Sequence, residues 1–323
     1  MRFSKLFAAL ALCVWLPGHA VAQSSKYPAK PIRLVVGYTP GGGTDIVARL
    51  VGQQITDATG QQVIIENRPG AATNIAAEYV AKSANDGYTL LLMNVTQTVN
   101  ATLYPRLNYD LVNDFAPVAM FASAPLLLLV HPSFPARTVK EFIAVAKKNP
   151  GKLNYSTAGS GTTQHLSGEM LKLQIGVDMT HIPYKGSAPS MTALASGEVE
   201  FSFNNIPASQ PMMGPGRVRA LAITSEKRSP LMPELPTMIE SGLPGFVTYT
   251  WFGLGAPAGT SREIVNLLNA VIVKAVQKDS FRGRLAQLGA DPIADTPESF
   301  RKLLVEEIDR WGKVVRATNA KPE

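Results

Sequence analysis

Two short stretches hold the residue types from which an anion seat is built. Residues 41–45 read Gly-Gly-Gly-Thr-Asp and residues 159–163 read Gly-Ser-Gly-Thr-Thr. Glycine lets a ligand come close to the main chain. A helix beginning just after such a loop leaves several backbone N–H groups without intrahelical partners, and partial positive charge gathers there. The hydroxyls of Thr44, Ser160, Thr162 and Thr163 add donors or cap the helix. The chemistry this implies is anion capture by main-chain and hydroxyl groups. One glycine-rich loop is common in folds that bind nothing there. Two in one chain, facing across a cleft, clamp a molecule with a carboxylate at each end.

Other chemistries fit less well. A P-loop needs Gly-Lys-Ser/Thr, and neither loop has the lysine. The dinucleotide pattern needs glycine three residues after Gly43, where Ile46 stands. The hydrolase elbow Gly-x-Ser-x-Gly is replaced by Gly159-Ser160-Gly161. Past residue 22 the histidines are His131, His165 and His181, at no metal-ligand spacing. No metal, nucleotide or other cofactor is called for. His131 precedes Pro132 and reads as a turn residue, and His181 as a strand residue in core or surface. His165 falls in the first helical turn after Gly161, where it either faces the cleft or packs its helix. Lys185 and Gly186 follow a strand, and Lys185 either faces a carboxylate or is solvated. Asn204 and Asn205 end a strand, as ligand amides or turn formers. Tyr38 and Trp251 are strand-end aromatics for which core packing is the default and ligand stacking the alternative.

The elements that must position these residues alternate. Apolar runs at 32–36, 63–66 and 88–93 read as strands, separated by helical patterns after Asp45 and at 74–82. This strand–helix order implies a parallel sheet. After an apolar stretch at 117–130 the alternation resumes, with strands at 153–157, 179–184, 199–203 and 220–224. Thr138 with Glu141 predicts a capped helix, and residues 189–196 a short one closed by Gly197. A proline-rich connector covers 229–244, then a strand at 251–256. Thr260 with Glu263 predicts the cap of a long helix, and Thr296-Pro297 the start of the last. The expectation is two similar α/β halves, each presenting strand, glycine-rich loop and helix.

Composition narrows the class. The 323 residues are 46% hydrophobic and 17% charged, enough chain for about two domains and too few charges for a disordered tail protein. Arg2 and Lys5, the apolar run 6–16, Pro17-Gly18 and Ala20-Val21-Ala22 have the form of an export signal cut after Ala22. The single cysteine, Cys13, lies inside it, which excludes a disulfide scaffold. The formal net charge of +7, two units of it from Arg2 and Lys5, favours anionic small molecules. Lys147-Lys148 and Arg217-x-Arg219 are too short and isolated for a nucleic-acid footprint. A periplasmic protein is expected.

Several segments together resemble a known family: 32–45 (IRLVVGYTPGGGTD), 66–75 (ENRPGAATNI), 155–166 (YSTAGSGTTQHL), 181–189 (HIPYKGSAP), 219–228 (RALAITSEKR), 235–240 (LPTMIE) and 251–259 (WFGLGAPAG). In this order they are similar to the Bug-type extracytoplasmic solute receptors of tripartite tricarboxylate transporters, over nearly the whole chain past the signal. The resemblance implies a two-lobed periplasmic binding protein. Each lobe is then a mixed, mostly parallel sheet flanked by helices, and the cleft closes like a hinge. It implies a signal at 1–22, lobe one at 23–123 and 227–323, and lobe two at 124–226. It implies a monomer that binds a small organic carboxylate, is not an enzyme, and meets the membrane components of a tricarboxylate-type transporter. The site residues it implies are Tyr38, Gly42, Gly43, Thr44 and Asp45 in lobe one. In lobe two they are Ser160, Gly161, Thr162, Thr163 and His165, with Lys185, Gly186 and Asn204 nearby. Many relatives carry aspartate where this chain has Asn204. Losing that charge removes a partner for a ligand amine, so the expected ligand is a dicarboxylate without an ammonium group, aromatic diacids included. Two rivals stand beside this reading: a receptor that reports to a membrane sensor kinase, and a periplasmic hydrolase using Ser160 and His165.

Overall fold

A computed structural model describes residues 27–318 and 320–322. The expected signal at 1–22 lies outside the described residues. The chain runs β1 (Ile32–Val36), α1 (Gly43–Thr59), β2 (Val63–Asn67), a 3-10 turn (Ala71–Thr73), α2 (Asn74–Ala81), β3 (Thr89–Asn94), α3 (Val95–Leu103) and β4 (Phe115–Val130). It continues α4 (Val139–Lys148), β5 (Asn154–Thr157), α5 (Thr163–Ile175), β6 (Thr180–Pro183), α6 (Ser187–Ser196), β7 (Phe201–Asn205), α7 (Ile206–Met213) and β8 (Arg219–Ile223). The last elements are β9 (Tyr249–Pro257), α8 (Arg262–Gln277), α9 (Asp279–Gln287), β10 (Asp291–Pro292) and α10 (Pro297–Thr318).

The strand path is β2-β1-β3-β9-β4-β7-β5-β6, with β8 and β10 also pairing β4. Parallel pairing holds β2-β1-β3 at one end and β6-β5-β7 at the other. The pairings made by β4 and β9 are antiparallel. β4 is 16 residues long because it serves two sheets. Its first part, to Pro125, pairs β9; from Leu126 on it pairs β7 and β8. That one strand, with β9 beside it, joins two lobes.

Alternation along the strands gives each lobe two apolar layers. Ile32, Leu34 and Val36 face α1 and α8, while Val35, Leu91 and Met93 face α2, α3 and α10. In the second lobe Leu126, Leu128 and Val130 join Phe142, Phe201 and Phe203, while Leu127 and Leu129 join Met191 and Leu194. In the connector, Leu235 packs with the core of Leu127, and Met238, Leu243 and Phe246 with that of Leu128.

Helix starts differ from expectation at one point. Thr138 caps α4 as expected, accepting from Glu141 N, but the cap of α8 is Ser261, which accepts from Ile264 N. Thr260 instead donates its hydroxyl to Pro257 O at 2.7 Å. Helices α3, α7 and α9 had no counterpart in the sequence pattern.

Trp251 is core, 4% exposed. Its indole N–H donates to Glu307 at 3.2 Å, and Trp311 donates to the same carboxylate oxygen at 2.7 Å. Removing that acceptor leaves two buried N–H groups unpaired. Glu307→Ala is expected to lower unfolding free energy by about 2–4 kcal/mol, measured by urea denaturation followed by tryptophan emission.

Candidate functional site

The two glycine-rich loops have the same local design. Gly41 is left-handed (φ 83°), Gly42 is the N-cap of α1, and Gly43 is the first helical residue. Gly161 is left-handed (φ 75°), Thr162 is the N-cap of α5, and Thr163 is the first helical residue. In each loop the left-handed glycine donates its N–H to the side chain four positions on. Gly41 N reaches Asp45 Oδ2 at 3.1 Å, and Gly161 N reaches His165 Nδ1 at 3.1 Å. The side chain four residues into the sequence thus fixes the turn that aims the helix start.

Asp45 is fully committed to this role. Its carboxylate also accepts from Arg49 at 2.9 and 3.1 Å and from Asn67 at 2.9 Å. Burial raises its pKa, but the bonds from Arg49, Asn67 and Gly41 N outweigh burial and hold it below the ordinary carboxylate range. His165 is 3% exposed and sits behind its loop, stacked on His181 with ring centroids 3.9 Å apart. Burial, then the Lys172 charge, pushes its pKa down to about 4. Burial, then His165 and Lys172, pushes His181 down to about 2. His181 Nε2 lies 2.6 Å from Thr157 Oγ1. Asp45 and His165, expected among the ligand contacts, brace their loops and line neither of the two gaps between the lobes.

The loops share one gap of about 30 Å³, whose walls include Tyr38 and Thr44 from lobe one and Thr162, Thr163, Ser187 and Asn205 from lobe two. A second gap, about 50 Å³, shares Tyr38 and Ala158 with it and continues between the 69–73 turn and Gly159, Tyr184 and Lys185. The lobes touch around both. Thr39 Oγ1 donates to Lys185 O at 2.9 Å. A Cβ on Gly43 would overlap the Asn205 amide, and one on Gly186 (φ 139°) would overlap the Thr39 hydroxyl. Gly42 lies beside Ser187, with 3.8 Å between its Cβ direction and Ser187 N.

The remaining expected residues divide. Tyr38 lies at both gaps, its hydroxyl 2.6 Å from Thr96 Oγ1. Thr162 spends its hydroxyl within the loop, donating to Gly159 O at 2.7 Å. Ser160 is 2% exposed and hydrogen-bonded or otherwise engaged. Lys185 brings its carbonyl to the seam while the residue as a whole is exposed. Asn204 does not face the gap. It is fully buried behind it, accepting from Gln164 Nε2 at 2.9 Å, and its neighbour Asn205 lines the gap instead. Strand alternation explains the exchange: consecutive side chains point to opposite faces.

Sequence reading missed several wall residues. Asn94, Thr96, Gln164 and Ser187 line the first gap. Asn94 carries a signal that was there to be used, since Asn94-x-x-Gln97 is a capping box for α3. Ala71, Ala72 and Thr73 line the second gap with φ of 44°, 47° and 73°. Three consecutive left-handed non-glycine residues cost about 1–3 kcal/mol each, and their residue types give no warning of it.

Two α/β lobes joined by long crossing strands, with the loops of both lobes meeting in one seam, define a periplasmic binding protein fold. The profile of the tripartite tricarboxylate transporter family receptor (TctC) matches residues 47–320. The chain belongs to that family. It is 38% identical to BugT of Bordetella pertussis over 324 residues, covering 99% of each chain. It superposes on an R. palustris protein, Rpa4515, with adipate at TM-score 0.89 and 40% identity, covering 92% of this chain and 100% of that one. It superposes on MatC of Rhodopseudomonas palustris with bound malate at TM-score 0.84 and 36% identity, covering 90% and 100%. Receptors of this family are periplasmic. Among the described residues no helix is long and apolar enough to cross a membrane.

Two measurements test this geometry. Gly43→Ala forces apart the contact with Asn205, so ligand affinity is expected to fall at least tenfold with little change in melting temperature, by calorimetric titration and thermal denaturation. The two imidazoles stay neutral in the fold, whereas unfolded ones protonate near pH 6.5. Between pH 6.5 and 5 the unfolded chain then binds protons the folded chain refuses, and stability falls with pH at roughly 2 kcal/mol per unit. His181→Phe is expected to remove about half of that slope in urea titrations.

Proposed function

We propose that the protein captures a small dicarboxylate without an ammonium group and delivers it to the membrane components of a tricarboxylate-type transporter. The observation that carries this reading is the seam itself: two braced helix starts, one per lobe, meet across a gap walled by amides and hydroxyls. None of the residues lining either gap is acidic, and Lys185 is the one charged residue among them. A ligand amine would find no carboxylate partner there. The absence of an amine is thus supported by the walls as a whole, in place of an argument from Asn204. The relatives crystallised with adipate and malate support a diacid.

The two gaps, bridged by Tyr38 and Ala158, would take the two carboxylates. The site residues are then Tyr38, Thr44 and Thr163 from the walls, with Gly42, Gly43, Gly161 and Gly186 from the loops beside them. A diacid is larger than either gap, so the lobes part to admit it and close on it, driven by tighter binding to the shut form. Micromolar binding needs about −8 kcal/mol, within reach of several charge-assisted hydrogen bonds at about 1.5–3 kcal/mol each. The lobes are assigned as 27–125 with 249–318, and 126–248, following which core each segment joins. Export with cleavage after Ala22 accounts for the compartment.

The hydrolase reading loses its base, because His165 Nδ1 accepts the Gly161 N–H and its pKa is far below neutrality. A thermal-shift screen tests the proposal. Adipate or malate at 100 times its Kd is expected to stabilise the chain by about 2.7 kcal/mol, and aspartate and glutamate less at equal concentration. Stabilisation by the amino acids beyond either diacid would refute the exclusion of amines.

A further inference from the structure

Backbone N–H groups, which can only donate, fix the orientation of the side-chain amides around the first gap. In lobe two, Ala158 N donates to Gln164 Oε1. That fixes the amide, and Gln164 Nε2 spends its two hydrogens on Asn204 Oδ1 and Ser187 Oγ, each at 2.9 Å. Ser187 Oγ is therefore an acceptor toward Gln164. Its own proton is left over, at a residue that lines the gap. Asn205 Oδ1 accepts from Ala208 N at 3.1 Å, which turns its Nδ2 toward the gap and Gly43.

Lobe one repeats the logic. Thr96 N donates to Asn94 Oδ1 at 3.0 Å, so Asn94 Nδ2 donates to the Tyr38 hydroxyl at 3.1 Å. Asn94 Nδ2 already fills one acceptor site of the phenol, and Thr96 Oγ1 at 2.6 Å is a much nearer acceptor for the phenolic proton than Asn94 Oδ1 at 3.4 Å, so we place that proton on the Thr96 bond. The Thr96 proton is then left over, again at a gap residue. Burial, against smaller opposing effects of the Thr96 and Asn94 bonds, raises the Tyr38 pKa. The phenol keeps its proton and stays a donor.

We infer that Gln164 and the Asn94–Tyr38 pair are specificity-determining residues that act by proton ordering. They hold Ser187 and Thr96 as donors beside Asn205 Nδ2, so the gap presents hydrogens from both lobes. It accepts an unprotonated carboxylate and rejects an ammonium or other donor. The inference deepens the dicarboxylate reading and rests on it. Asn204 enters only as the partner that occupies the second Gln164 hydrogen. In this arrangement Asn204→Asp leaves Gln164 donating to Ser187 and does not create an amine site.

Double-mutant cycles with adipate and malate as titrants test the inference. Ser187→Ala and Gln164→Met are each expected to weaken binding about tenfold. If Gln164 acts through Ser187, the double variant is weakened by much less than the hundredfold product. Tyr38→Phe with Thr96→Val forms a second, independent cycle with the same expectation, and Thr96→Ser restores most of the loss. The second cycle decides the matter should Gln164→Met fail to fold. Asn204→Asp is expected to gain no glutamate binding. Additive cycles, single variants with unchanged affinity, or glutamate binding by Asn204→Asp overturn proton ordering while leaving the receptor reading intact. A wild-type chain that binds neither adipate nor malate overturns the dicarboxylate reading, and this inference with it.

Discussion

The site depends on one hydrogen bond made twice. A left-handed glycine gives its N–H to the side chain four residues later, Gly41 to Asp45 and Gly161 to His165. Without that bond the glycine would be free to take many conformations, and the amides that follow would not converge. The two braces solve the electrostatics differently. Asp45 is ionised, and its charge is balanced by Arg49, itself partly exposed. His165 is neutral, because burial forbids its charge. The acceptor is an anion in one lobe and an uncharged ring nitrogen in the other, yet the turn is the same. Shape rather than charge is the quantity held constant between the lobes.

Closure must be reconciled with lobes that share strands. β4 passes from one sheet to the other at Pro125–Leu126, and β9 begins beside it at Tyr249. Thr224 ties the crossing, its hydroxyl donating to Thr248 O and accepting from Leu126 N. Leu166 of α5, a second-lobe helix, packs into the first-lobe core with Trp251 and Trp311. The lobes are therefore joined by covalent strands and by an apolar contact on one side. Elsewhere the lobes also meet at close glycine contacts: Gly43 against Asn205, Gly186 against Thr39, Gly161 against Asn100 and Leu103, and Gly289 against Ile206. Parting the loop contacts while keeping the shared strands would turn the lobes about the crossing near Pro125 and Tyr249.

Sequence periodicity sufficed for most of the strands and for both glycine-rich loops, because each rests on local chemistry, while β4 read only as an apolar stretch and β10 not at all. Ile32, Leu34 and Val36 announce a buried face, and Gly-Gly-Gly-Thr announces a helix start. The site was less legible, since it is made by residues adjacent in space and not in sequence. Asn204 and Asn205 are interchangeable in composition, and only the pleat decides which one meets the gap. Ser187 and Gln164 gain meaning from a bond across 23 positions. The proline-rich connector reads as a linker, but its Met238 and Phe246 are buried in the core of Leu128.

The choice of neutral donors has a functional consequence for a receptor that must let its cargo go. An arginine facing the gap would have to shed water each time the lobes parted and closed, and buried charge is costly to leave unpaired. Amides and hydroxyls carry no such penalty on the scale of a full charge. Lys185, exposed as a residue, lends the seam its carbonyl. A site of this kind distinguishes ligands by where they place acceptors, and it holds them only while both lobes supply hydrogens. Affinity then depends on closure itself, and parting of the lobes takes the donors of one lobe away from those of the other.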